Sequence, residues 1–201
     1  AAGRLKAEVT DRPELKTRVL MHLSRVAESP EADNAYRSRA LRTLELLEAT
    51  EALLALLTDR ETRISEEAAL ALARLGKTEG LEVTLRVARS EHLSLSAEAL
   101  RALGSLPGDR SLGELLANLN PELEPSLVRA AIDGLAQLND PRSIRPLVDA
   151  LPALPGHLQH RATDTLRTIT GARLGVAPES WATWLKANQA PAPIEVEMRR
   201  R

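Results

Sequence analysis

The sequence predicts an all-α protein, an α-solenoid of about five helical hairpins in series with a capping helix at the C-terminal end. Three observations predict it. Hydrophobic residues make up 43% of the 201-residue chain, yet Phe is absent and the aromatic side chains are Tyr36, Trp181 and Trp184. Leu and Ala supply most of the apolar surface, whereas strand cores favour β-branched and aromatic residues. The pattern Ala-x3-Leu-x2-Leu/Ile then recurs at Ala40/Leu44/Leu47, Ala68/Leu72/Leu75, Ala99/Leu103/Leu106, Ala131/Leu135/Leu138 and Ala162/Leu166/Ile169, its central leucines 28, 31, 32 and 31 residues apart. A second set of stripes interleaves with the first: Leu53/Leu56/Leu57, Leu81/Leu85/Ala88, Leu112/Leu115/Leu116/Leu119 and Ile144/Leu147/Val148/Leu151. Self-similarity at such a period marks stacked units, none of which buries its apolar face alone.

Spacings of four and three place each triplet on one helical face, with the Ala as the small member that lets a neighbouring helix approach. Pro13 opens the first helix and Ser29-Pro30 closes it; helices follow over about 35–49, 50–58, 62–75, 78–89, 94–106, 109–119, 125–138, 141–151 and 157–170. Asp59, Gly76, Gly108 and Asp140-Pro141 fall between the stripes, where turns and caps belong. Pro141 suits a first helical turn, whose N–H groups have no intrahelical partner. Pro107-Gly108-Asp109 and Leu154-Pro155-Gly156 each end one helix and prepare the next. The first hairpin has the longer opening helix and a step of 28 residues after it, as an N-terminal cap would.

Residues 1–12 then form an N-terminal extension, 13–170 the array, 171–187 a cap and 188–201 a tail. A helix from Pro178 to Ala187 puts Trp181 and Trp184 on one face. There they cover the open apolar end that a solenoid must cap, or they contact a partner. In the tail, Pro191 and Pro193 favour an extended path. Ile194-Glu195-Val196-Glu197-Met198 alternates with period two and reads as a strand added to a partner's sheet edge, or as a solvated chain end.

Val128-Arg129-Ala130-Ala131-Ile132-Asp133-Gly134-Leu135, followed by Asn139-Asp140-Pro141-Arg142-Ser143-Ile144-Arg145-Pro146-Leu147-Val148, resembles a HEAT-type repeat. The resemblance is to the short bacterial arrays that share their repeat with phycobilin-lyase proteins, and it covers residues 13–170. The segment from Thr168 to Trp184 is similar to an ending seen in many bacterial HEAT-repeat proteins. The resemblance implies a protein-binding scaffold whose second helices line one surface, and only occasionally an enzyme.

Composition narrows the function. With 27 Lys+Arg against 28 Asp+Glu, the formal charge of −1 argues against a dedicated nucleic-acid binder. No apolar stretch approaches the roughly 18 residues of a membrane helix. Without Cys there is no disulfide, thiolate metal site or cysteine nucleophile. Phosphate loops and nucleophile elbows are also missing, so the expectation is a non-enzymatic protein that needs no cofactor.

Positions two before and two after each central leucine point away from the core stripe: Arg42/Leu46, Leu70/Arg74, Arg101/Ser105, Asp133/Gln137 and Asp164/Thr168. Arg42, Arg74, Arg101, Asp133, Gln137 and Asp164 are the expected partner contacts, and their order from arginine to aspartate would orient a bipolar partner. The alternative is a nucleic-acid-binding array, similar to the HEAT-like DNA glycosylases, working through the arginine-lined end. No aromatic residue accompanies those arginines to hold an extruded base. A bilin lyase would need an aromatic or cationic cleft of ligand size.

His157, His160 and Asp164 share a helical face. Such groups hold Zn²⁺ or form a base and its orienter, but a fourth ligand would have to be supplied, and surface histidines are the simpler reading. His22 and His92 are isolated. The expected partner is another protein and the expected state a monomer. The start at Ala1-Ala2-Gly3-Arg4, without Met, suggests removal of an upstream segment. Bacterial cytoplasm and periplasm both fit.

Overall fold

The computed structural model of the chain describes residues 11–188 together with Pro191 and Ile194, and every regular element among them is helical. The α-helices are α1 (Pro13–Glu28), α2 (Asn34–Leu46), α3 (Thr50–Ala55), α4 (Thr62–Arg74), α5 (Leu81–Ala88), α6 (Leu93–Leu103), α7 (Asp109–Ala117), α8 (Pro125–Leu138), α9 (Ile144–Ala150), α10 (Gly156–Thr170) and α11 (Pro178–Asn188). Short 3-10 turns take up the ends of the first helices, at Leu56–Thr58, Thr78–Gly80, Pro141–Ser143 and Leu151–Ala153. The all-α hairpin order is thus the one the leucine spacing predicts. The period-two alternation at residues 194–198 falls, Ile194 aside, outside the described residues, as does most of the 1–12 extension.

The helix ends explain the small differences in length. α2 stops at Leu46 because Glu48 turns left-handed, at φ 55°, and Ala49 N–H donates back to Leu44 O at 2.9 Å. One repeat later Gly76, at φ 71°, does the same for α4, with Lys77 N–H donating to Leu72 O. Asn139 closes α8 in the same left-handed region. Such caps satisfy carbonyls that the last helical turn leaves free.

The chain divides within α5 into two compact units, Ala1–Thr84 and Leu85–Arg201. In the first unit, the core gathers Ala27, Ala40, Leu41, Leu44, Leu53, Leu56, Ile64, Ala68, Ala71 and Leu72. Leu70 corrects the sequence reading. Placed there on the outward face, it is 1% exposed. Ala68-Ala69-Leu70-Ala71-Leu72-Ala73 carries no polar side chain on any face, and a helical stretch apolar all round is enclosed rather than half-solvated.

In the second unit, α6 and α8 cross at Gly104 and Gly134. A Cβ at Gly104 would stand 2.6 Å from Gly134 O, and one at Gly134 would stand 2.7 Å from Leu100 O. This crossing is closer than alanine allows. α11 packs on α9. Trp181 is fully buried and its indole N–H donates to Gly175 O at 2.8 Å. Trp184 is half-buried and meets the Trp181 ring edge-on, with centroids 6.1 Å apart.

One device recurs in both units. Seven positions before the central leucines stand Arg37, Ser65, Ser96, Val128 and Gln159. Arg37 Nε donates to Ala27 O at 2.8 Å, Ser65 Oγ to Leu57 O at 2.7 Å, Ser96 Oγ to Ala88 O at 2.5 Å and Gln159 Nε2 to Leu151 O at 3.1 Å. Each side chain reaches back from the start of the second helix to a carbonyl at or near the end of the first, an acceptor a helix terminus leaves open. Val128 substitutes apolar packing and is buried.

A charged staple joins the loops of the second unit. Arg142 pairs with Asp140 through Nη2 and with Asp109 through Nη1, both at 2.7 Å. Asp140 also caps the turn it precedes, accepting from Arg142 N–H at 2.9 Å. The hydrogen bond from the Arg142 side chain outweighs burial and holds the Asp140 carboxyl below its ordinary value of 3.8. A carboxylate with a depressed folded pKa stabilises above its unfolded pKa, and the contribution is lost as pH falls through the folded one. Urea midpoints should therefore drop more for the parent than for Asp140→Asn between pH 5 and about pH 2–3. Parallel declines would show that the staple carries no net stability.

Candidate binding surface

The side chains singled out by the sequence sit on second helices, and in the second unit three of these carry a connected polar network. Asp133, on α8, is 23% exposed and lies between two guanidiniums that are each about half exposed. Arg101 Nε, on α6, stands 3.6 Å from Asp133 Oδ2, and Arg161 Nε, on α10, donates to Asp133 Oδ1. One turn along, Gln137 Nε2 donates to Ser105 Oγ at 2.6 Å, linking α8 to the turn that follows α6. Asp164 accepts from Arg167 Nη1 at 2.7 Å, and Arg167 Nε donates to Leu174 O at 2.8 Å. Thus Arg101, Asp133 and Gln137 are brought together, while Asp164 pairs within its own helix.

In the first unit, Arg74 makes a two-pronged contact with Glu45, Nε to Oε1 at 2.6 Å and Nη2 to Oε2 at 2.9 Å. Arg42 is exposed on α2. Glu45, Arg161 and Arg167 were missed by the outward-position rule, yet two of them were readable. Ion pairs and hydrogen bonds between successive second helices join residues about one repeat apart: 29 for Glu45 and Arg74, 28 for Asp133 and Arg161, 32 for Ser105 and Gln137. Opposite charges at that offset are the signal. Each exposed pair contributes only about 0–1 kcal/mol. Their larger effect is to hold long side chains in one geometry, so a partner meets a surface already ordered.

The histidines occupy ordinary surface. His157 and His160 are exposed, and His160 Nδ1 donates to Gly156 O at 2.8 Å. Arg161, not a histidine, reaches Asp133. Among the described residues no group of three His, Cys, Asp or Glu is placed to hold a metal ion. A cleft of about 890 Å³ lies between α1 and the start of the next hairpin, lined by Leu20, Met21, Leu47 and Ala52. Its Lys16 and Arg25 are matched by Glu28, Glu48 and Glu51, and no aromatic ring lines it. That is not the aromatic or cationic lining a bilin would require. No helix among the described residues is long and apolar enough to cross a membrane.

Residues 127–151, which run from α8 through the Asp140 turn into α9, match the PBS lyase HEAT-like repeat. No curated protein matches the chain significantly. Among solved structures, the crystal structure of an engineered protein from a structural genomics consortium is similar over 83% of this chain and 84% of its own, at 20% identity and a TM-score of 0.54. At that identity the likeness is one of fold. Residues 127–151 thus carry the sequence of a HEAT-like repeat, within a chain whose described residues fold as helical hairpins in series.

Proposed function

We propose that the chain is a non-enzymatic scaffold that binds another protein through the second-helix surface of its C-terminal unit. The observation that carries this reading is the Arg101–Asp133–Arg161 network, which joins the second helices α6, α8 and α10 and leaves both guanidiniums about half exposed. One carboxylate between two cations leaves an excess of positive charge at its centre, suited to an acidic or carbonyl-rich patch on a folded partner. Charge complementarity of this kind sets register and encounter rate more than raw affinity. Asp164, on α10 of the same unit, is a further contact by the same logic. The pairing of Arg74 with Glu45 and of Arg101 with Asp133 weighs against a phosphate track, since those cations already face carboxylates.

The test is affinity capture from a lysate of the source organism over a salt series, with the parent and an Arg101→Ala/Arg161→Ala variant. The expected result is a discrete protein retained by the parent at physiological salt and weakened about tenfold or more in the variant, as charged contact residues at interfaces allow, with helicity unchanged. Equal retention by both proteins would remove this surface from consideration. Recovery dominated by nucleic acid and lost steeply with salt would replace the reading with phosphate binding.

A further inference from the structure

Second helices reach back to the repeat before them from three positions. Five residues before the central leucine, Glu67 accepts from Ser38 Oγ at 3.0 Å and Arg161 donates to Asp133. Two before it, Asp133 stands beside Arg101. Two after it, Arg74 reaches Glu45 and Gln137 reaches Ser105. The residue eight before the leucine is apolar: Ile64, Leu127 and Leu158 are buried and Leu95 is half-buried. Ile64 joins the core that α2 builds with Leu41 and Leu44. At these four positions α2 carries Tyr36, Arg39, Arg42 and Leu46. All four are exposed, Tyr36 by 64% where Ile64 is fully buried. Among the described residues neither guanidinium has an ion-pair or hydrogen-bond partner, and no earlier hairpin stands against α2. The contacts that later repeats make backward are open here.

We propose that this strip of α2 docks an acidic amphipathic helix of a partner protein, which stacks on it as one second helix stacks on the next. Spacing sets the shape of the occupant. Steps of three, three and four keep the four side chains on one side of α2, and Tyr36 and Leu46 lie about 15 Å apart along its axis. An apolar stripe of about three helical turns spans that distance. Charge sets the sign. Arg39 and Arg42 stand three residues apart between the two apolar ends, where like charges repel. Carboxylates flanking the partner's stripe relieve that repulsion and complete the pairing that Glu67 and Asp133 achieve in their own repeats. A second copy of the chain would set the same arginines against each other, which disfavours it as the occupant. Tyrosine and arginine are also enriched among the residues that carry binding energy at interfaces.

The probe is a displayed library of helical peptides about four turns long, with a fixed leucine stripe and flanking positions drawn from Glu, Lys and Gln. Selection on the full-length protein should return peptides with Glu on the flanks. Their affinity should fall about tenfold or more for Arg39→Glu/Arg42→Glu and for Tyr36→Ala, with far-UV dichroism unchanged. Selection on Arg39→Glu/Arg42→Glu should return Lys instead. Arg101→Ala/Arg161→Ala should bind the selected peptides as the parent does, so this strip and the C-terminal surface are tested separately. No enrichment, flanks without an acidic bias, or binding indifferent to the α2 substitutions would overturn the proposal. A dimer in sedimentation that Tyr36→Ala abolishes would also overturn it, by assigning the strip to a second copy. So would a DNA duplex held by the same arginines more tightly than any peptide and released steeply by salt.

Discussion

Arg37→Met is expected to destabilise the N-terminal unit by about 3 kcal/mol or more, within the range for breaking one partner of a buried ion pair. Arg37 is 2% exposed, an extreme value for arginine, and its guanidinium serves two acceptors. Nε donates to the buried Ala27 carbonyl at 2.8 Å, and Nη2 pairs with the Asp59 carboxylate, whose side chain is 13% exposed. Methionine keeps much of the apolar stem, so the loss comes from the two acceptors left behind rather than from a cavity. Asp59 retains a hydrogen bond from Glu61 N–H at 2.9 Å, which sets the expectation near the low end of the range. Adding Asp59→Asn to the variant should recover part of the loss, because removing both charges of a buried pair costs less than stranding one. Urea unfolding followed by far-UV dichroism measures both. A loss under about 1 kcal/mol for Arg37→Met would place the pair among ordinary surface salt bridges.

Arg37 also marks where sequence reading fails. Helix order was legible because Leu44, Leu72, Leu103, Leu135 and Leu166 repeat with intervening Ala and Leu at helical spacing, and every such stripe became a helix. A charged residue seven positions before the first of these leucines reads as solvated, since nothing in its own triplet distinguishes it. Only the alignment of Arg37 with Ser65, Ser96 and Gln159 reveals a polar position used for reaching back to a carbonyl. Leu70 failed for the opposite reason: a rule based on one core stripe cannot register a stretch such as 68–73 that is apolar on every side. The candidate surface was half legible. Asp133 and Arg101 followed from counting outward positions. Arg161 did not, because it lies five residues before Leu166 rather than two, and its role depends on where α10 sits against α8.

Gly134→Ala is expected to destabilise the C-terminal unit, against the sign that helix propensity alone would give. Alanine at a helix interior is favoured over glycine by about 1 kcal/mol. A Cβ at residue 134, however, would stand 2.6 Å from Leu115 Cδ2 and 2.7 Å from Leu100 O. The leucine methyl can rotate away; the backbone oxygen of α6 cannot move without shifting the helix. Overpacking of a close contact costs about 1–3 kcal/mol, so the net loss should be about 1–2 kcal/mol. Gly113→Ala supplies the control within the same unit, for its added Cβ would meet Ile194 Cδ1 at 3.7 Å, an ordinary contact. That variant should gain about 0.5–1 kcal/mol from helix propensity. Opposite shifts of the urea midpoint in the two variants are the expected outcome, with Gly134→Ala low and Gly113→Ala high. Two shifts of the same sign would mean that α6 and α8 yield at their crossing as readily as a solvated helix face does, and that the Gly104–Gly134 approach does not fix how these hairpins stack.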